Sequence, residues 1–130
     1  MRYKSKYYNV KTRTSDGLVF DSMKEARRWE QLLLLQMAGK ITSLQRQVAY
    51  ELIPNQYETY PRYSKKGVRL KDGTRLIERK IDYVADFVYT DAETGENVVE
   101  DTKSAATRTK DYIIKRKLMY AIHGIKIKEV

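Results

Sequence analysis

The stretch whose reading decides the fold is IDYVADFVYTDAETGENVVEDTK, residues 81–103. From Ile81 to Thr90 it follows the two-residue period of a strand, so Ile81, Tyr83, Ala85, Phe87 and Tyr89 share one face and Asp82, Val84, Asp86 and Val88 the other. Residues 91–96 (DAETGE) read as a turn, and Asn97–Lys103 as the next strand of a meander. Asp86 therefore stands between Val84 and Val88, where a carboxylate costs several kcal/mol unless a charge compensates it. In the following strand Val99, Asp101 and Lys103 share a face, with Asp101 and Lys103 about 6.6 Å apart at ~3.3 Å per residue. A tight turn brings Asp86 beside Asp101. Two carboxylates that close repel each other unless a cation lies between them, which points to Mg²⁺, with Mn²⁺ as its substitute. Lys103 at the rim suits the handling of a water and the offsetting of charge at phosphorus. A structural salt bridge of Lys103 with Asp86 or Asp101 fits the same spacing equally well.

Working outward from this core, Ser22–Met37 holds helix formers without Gly or Pro, opens on Ser22 as an N-cap and closes at Gly39. Its expected buried stripe is Ala26, Trp29, Leu33 and Met37, widened by Leu32 and Leu35. Ile41–Ile53 reads as extended chain stopped by Pro54, with Val48, Tyr50 and Leu52 alternating against Gln47, Ala49 and Glu51. Residues 55–66 lack a period and read as a loop, and residues 69–76 as a hairpin turning at Asp72-Gly73. Thr109 caps a second helix to about Ile122, ended by Gly124, and residues 125–130 alternate as a last strand. The expected architecture is α/β, a mixed central sheet flanked by two helices, in one domain spanning 1–130. Residues 1–17 form a basic N-terminal arm, and 55–80 a basic, mobile loop and hairpin.

The 130-residue chain has a net charge of +9, which favours a polyanionic partner, and the distribution says more than the total. Residues 103–128 carry eight Lys and Arg against Asp111 alone, and residues 62–80 carry eight against Asp72 and Glu78. Between Ile81 and Asp101 there are seven acids and no Lys or Arg. An acidic island between basic arms is what a divalent-metal phosphodiesterase requires. No cysteine and one histidine exclude disulfides, thiolate metal sites and a histidine-based zinc site. No run of about 18 apolar residues and no apolar leader segment is present, so the expectation is a soluble, cytoplasmic protein without a membrane partner.

Residues 83–89 (YVADFVY) followed by 98–103 (VVEDTK) resemble the signature of the PD-(D/E)XK nuclease superfamily, with its restriction-endonuclease-like fold. The preceding helix with Glu25, the Gln47 region and the closing VEDTK are also similar to the endonuclease subunit of a two-part bacterial transposase. Residues 20–25 (FDSMKE) and 115–130 look like a phage-encoded, single-domain branch, related in kind to Holliday-junction resolvases. The proline expected before the first aspartate is Ala85 here. The resemblance implies metal at Asp86 and Asp101, a further ligand in the Thr102 carbonyl, and Lys103 positioning the nucleophilic water. It also implies Glu25 as an acidic ligand, whereas Ser22-Met-Lys-Glu25 is equally a capping box. Glu100 faces away from Asp101 in a regular strand and reads as structural.

Lys110, Lys115, Arg116 and Lys117 on the second helix, and Lys65, Lys66 and Arg69 in the basic segment, are the expected phosphate contacts. The expected activity is Mg²⁺-dependent endonucleolytic cleavage of DNA, selective for branched or junction structures because the domain leaves no room for a separate reading module. A symmetric junction implies a homodimer. The rivals are an inert nucleic-acid-binding module and an RNase-H-like nuclease that uses carboxylates alone.

Overall fold

The protein is represented by a computed structural model in which residues 11–130 are described. Most of the expected basic arm, residues 1–10, lies outside them. The elements in order are β1 (Thr12–Arg13), β2 (Val19–Phe20), α1 (Met23–Met37), β3 (Ile41–Ile53), β4 (Gln56–Tyr63), β5 (Arg69–Glu78), β6 (Ile81–Asp91), β7 (Asn97–Asp101), α2 (Lys110–His123) and β8 (Lys128–Glu129). The main sheet runs β3-β6-β7-β8; β7 pairs β8 in parallel and the other neighbours are antiparallel. The fold is thus mixed α/β with two helices. No helix among the described residues is long and apolar enough to cross a membrane.

Local chemistry sets both helices. Ser22 Oγ accepts from the Glu25 amide and Gly39 at φ 75° ends α1; Thr109 caps α2 by accepting from the Tyr112 amide, and Gly124 at φ 67° closes it. Each helix has its own core. Ala26, Trp29 and Leu32 of α1 pack with Phe20, Ile41, Phe87 and Tyr89, while Tyr112 and Met119 of α2 pack with Leu52, Tyr83, Ala85, Val99 and Ile127. The apolar stripe of α1 is shorter than its sequence suggests. Met37 is 84% exposed and Leu35 is also exposed, so the buried part of the helix ends before its last turn.

The alternation of β6 is interrupted. Tyr83, Ala85, Phe87 and Tyr89 are all buried as expected, but the first two serve the α2 cluster and the last two the α1 cluster. Val88 packs with Ala85's cluster although Phe87 does not, so the face alternation slips by one between residues 85 and 88. Across the ladder from this slip, between the pairs Arg46↔Phe87 and Val48↔Ala85, Gln47 adopts φ 53°, a left-handed conformation that rotates the strand. Asp86 lies at the slip.

Residues 55–80 also correct the expectation. Residues 56–63 are a strand rather than a loop, and Asp72-Gly73 lies within β5 rather than at a turn. Gly73 faces Tyr60, and a Cβ there would stand 2.3 Å from the ring, so this glycine makes room for an aromatic. The actual turn is Ser64–Val68, where the Ser64 amide donates to Val68 O at 2.8 Å and Gly67 takes φ 80°. The closing strand is only Lys128–Glu129.

Candidate active site

Asp86 and Asp101 occupy neighbouring strands one step beyond the Phe87↔Glu100 pair, at the end where β6 and β7 part. Each carboxylate is anchored through one oxygen. Asp86 Oδ2 accepts from the Thr102 amide at 2.9 Å and from Thr102 Oγ1 at 2.7 Å, and Asp101 Oδ2 accepts from the Tyr83 hydroxyl at 2.7 Å. Lys103 Nζ stands 3.5 Å from Asp101 Oδ1 and 4.2 Å over the centre of the Tyr112 ring. The salt bridge expected as one reading of Lys103 is therefore present, with Asp101 as its partner. Lys103's own backbone is fixed by the residue that follows β8, its amide donating to Val130 O at 2.9 Å.

Two clefts meet at these residues. The one toward α1, about 240 Å³, is lined by Glu25, Asp86, Asp101, Thr102 and Lys103 together with Asp21 and Lys24. The one toward α2 shares Asp86, Asp101 and Lys103 and adds Tyr83, Asp111, Tyr112 and Lys115. All four expected catalytic residues thus border one cleft.

Burial, and after it the nearness of the acids to one another, sets the electrostatics there. Burial, then the hydrogen bond and charge of Asp86, push Asp101 up to about 7, against the smaller opposing influence of Tyr83 and Lys103. Glu25 is pushed up to about 7 by burial and by Asp86, with Arg46 opposing. The Tyr83 phenol is raised by burial and by Asp101, so it stays a donor. A cleft that forces two carboxyls toward neutrality near pH 7 is one into which a hard divalent cation fits. No group of three or more acidic, histidine or cysteine side chains among the described residues converges on a single point. Mg²⁺ is commonly held by only one or two carboxylates and completes its shell with water and phosphate oxygens.

The capping-box alternative for Glu25 is half realised. Its amide donates to Ser22 Oγ at 3.1 Å, while its carboxylate makes no reciprocal bond to the Ser22 amide among the described residues and instead lines the cleft. Glu100 behaves as expected of a structural acid. It is fully buried and faces α1, where Arg28 Nε and Nη2 clasp it at 2.7 and 2.6 Å and the Tyr89 hydroxyl donates to it.

The expected phosphate contacts divide. Lys115 borders the cleft toward α2, and Lys110 is exposed at the start of that helix. Arg116 pairs with Glu129 at 3.1 Å, and with Lys117 it lines a different groove. Lys65 and Lys66 sit at the β4–β5 turn, and Arg69 is paired with Asp72.

Sequence reasoning missed Tyr83, Tyr112, Arg46 and Thr102's hydroxyl as supports of the site. Only Thr102, standing between Asp101 and Lys103, had a local signal. The others arrive through strand pairing and helix docking.

No curated protein and no solved structure matches this chain. One family model matches it along almost its whole length, residues 4–129. The chain belongs to that family, which is described as "Protein of unknown function (DUF1064)".

Proposed function

We propose that the protein is a Mg²⁺-dependent DNA endonuclease of the PD-(D/E)XK kind, with a restriction-endonuclease-like core, acting on branched or junction DNA as a homodimer. The observation that carries this reading is the meeting of Asp86, Asp101, Lys103 and Glu25 in one cleft of a strongly basic chain. A divalent ion held by Asp86 and Asp101, with the Thr102 carbonyl and Glu25 as further oxygen donors, would polarise the phosphodiester and make a water a better nucleophile.

The chain's own groups supply the rest. Tyr83 and Thr102 lock one oxygen of each aspartate, and Asp101 Oδ1 lies toward Lys103. Fixing the carboxylates in advance removes the reorganisation that a free side chain would need. The Lys103 ammonium, restrained between Asp101 and Tyr112, is placed to stabilise negative charge on the phosphate and to orient the attacking water. Lys115 and Lys110 offer phosphate contacts beside the cleft.

One observation favours the carboxylate-only alternative. Lys103 is already paired with Asp101, and Glu25 supplies a third acid. The discriminating experiment incubates the protein with linear, nicked, flap and four-way-junction DNA, with and without Mg²⁺. Mg²⁺-dependent cleavage, strongest on the junction and abolished by Asp86→Asn, supports the proposal. No cleavage of any substrate rejects it in favour of a binding module.

A further inference from the structure

We propose that the β4–β5 ribbon is a DNA-binding arm that lies along a duplex away from the scissile phosphate, gripping it through Arg62, Lys65, Lys66 and Lys71. This deepens the nuclease reading and rests on it for the identity of the polyanion. The ribbon forms its own two-stranded sheet, separate from the main one. It leaves the body where β3 ends and β6 begins, and none of its strands joins the β3-β6-β7-β8 ladder. Near its turn, Arg62, Lys65, Lys66 and Lys71 are exposed, and among the described residues none of them forms an ion pair. Of the ribbon's three acids, Asp72 pairs with Arg69 and Glu58 with Arg75, and Glu78 stands at the end of β5 farthest from the turn. The result is four positive charges without an ion-pair partner among the described residues, gathered near the turn of a separate two-stranded element. Side-chain repulsion of that kind is tolerated where a polyanion neutralises it.

Shape selects duplex DNA among polyanions. A two-stranded ribbon fits a major groove about 12 Å wide. The ribbon is also stiffened: the Tyr60 ring lies over Gly73, Arg75 stands 5.1 Å over Tyr60, and Arg69 stands 5.6 Å over Tyr63. Those tyrosines are thereby engaged with arginines of the ribbon itself, which argues for a rigid arm over a set of platforms for unpaired bases. Asp86 is five residues from the start of β6 and β4 is eight residues long, so at ~3.3 Å per residue these two spans together extend roughly 43 Å, a little over one turn of DNA.

The test uses full-length Asp86→Asn protein without Mg²⁺, so that binding is read apart from cleavage. Duplex affinity is measured against salt for this protein and for the same protein carrying Arg62→Ala, Lys65→Ala, Lys66→Ala and Lys71→Ala. These positions are exposed, and circular dichroism and Tm confirm an intact fold. We expect the log-log salt slope to become shallower by about 3–4, near 0.9 per lost phosphate contact. The hydroxyl-radical footprint should shorten on one flank by up to one helical turn. An unchanged slope and footprint overturn the proposal, as does an affinity loss for single-stranded DNA equal to that for duplex. Failure of the nuclease reading would show separately, as absence of Mg²⁺-dependent cleavage by wild type.

Discussion

Asp101→Asn should stabilise the metal-free protein most above neutral pH and by a clearly smaller amount in mild acid. Burial and Asp86 raise Asp101 from an ordinary 3.8 to about 7. Between those two values the folded chain retains a proton that the unfolded chain has released, so its stability falls as pH rises through this window and levels off above it. The rise corresponds to a ceiling of roughly 4 kcal/mol at 1.36 kcal/mol per pH unit. Coupling to Asp86 and relaxation of the cleft bring the realised value to about 1–3 kcal/mol. Asparagine copies the protonated form, since its oxygen can still accept from Tyr83 and its amide can donate to Asp86. For a chain of this length ~1 kcal/mol moves Tm by roughly 3–5 °C. The assay is thermal unfolding in EDTA of wild type and variant at pH 5 and pH 8, read as the variant-minus-wild-type difference so that other groups cancel. A difference several degrees larger at pH 8 is expected, with Mg²⁺ at pH 8 raising the wild-type Tm and not the variant's. Equal differences at the two pH values, or a variant destabilised at pH 8, refute the reasoning.

Arg28→Met leaves the fully buried Glu100 without its clasp and should cost about 3–5 kcal/mol in denaturant unfolding, far more than loss of an exposed pair. Replacing Lys115 and Lys117 together by alanine should make the salt slope of DNA binding shallower by about one, since only Lys115 borders the cleft; a change near two would place both on phosphate. Glu25→Gln should weaken Mg²⁺ binding measured by calorimetry at pH 8 without lowering Tm, because its carboxylate faces the cleft while the cap uses its amide; a fall in Tm of more than a few degrees would return Glu25 to a capping role.

Much of the fold was legible because local signals were strong. Ser22 and Thr109 cap their helices, β3 spans the expected Ile41–Ile53, and β6 and β7 pair antiparallel as the expected meander. Asp86, Asp101 and Lys103 followed from that meander, since neighbouring antiparallel strands must bring the two aspartates together. What failed did so where long-range packing overrides local chemistry. Asp72-Gly73 has turn composition, yet the Tyr60 ring occupies the space that the glycine leaves, and the ladder continues through it. The slip in β6 had no local signature, because its partner irregularity is at Gln47, in a strand 34 residues upstream of residue 81. Tyr83 and Tyr112 were readable as sheet and helix residues, but the Tyr83 hydroxyl reaches Asp101 through the pairing of β6 with β7, and the Tyr112 ring reaches Lys103 through the docking of α2. Arg116 and Lys117 belonged to the same basic helix as Lys115, and only its rotation on the sheet separates them.

The central claim, that Asp86, Asp101 and Lys103 form a phosphodiesterase site, is tested most directly by single-turnover cleavage of a four-way junction at saturating Mg²⁺ by wild type and Lys103→Ala. The account predicts junction binding within a few-fold of wild type and a cleavage rate lower by about a hundredfold or more, the scale for losing a preorganised electrostatic group. Arginine at 103 should rescue poorly, being planar and never deprotonated. Near-equal rates for wild type and Lys103→Ala would contradict the Asp-Asp-Lys mechanism and leave Lys103 as the structural partner of Asp101.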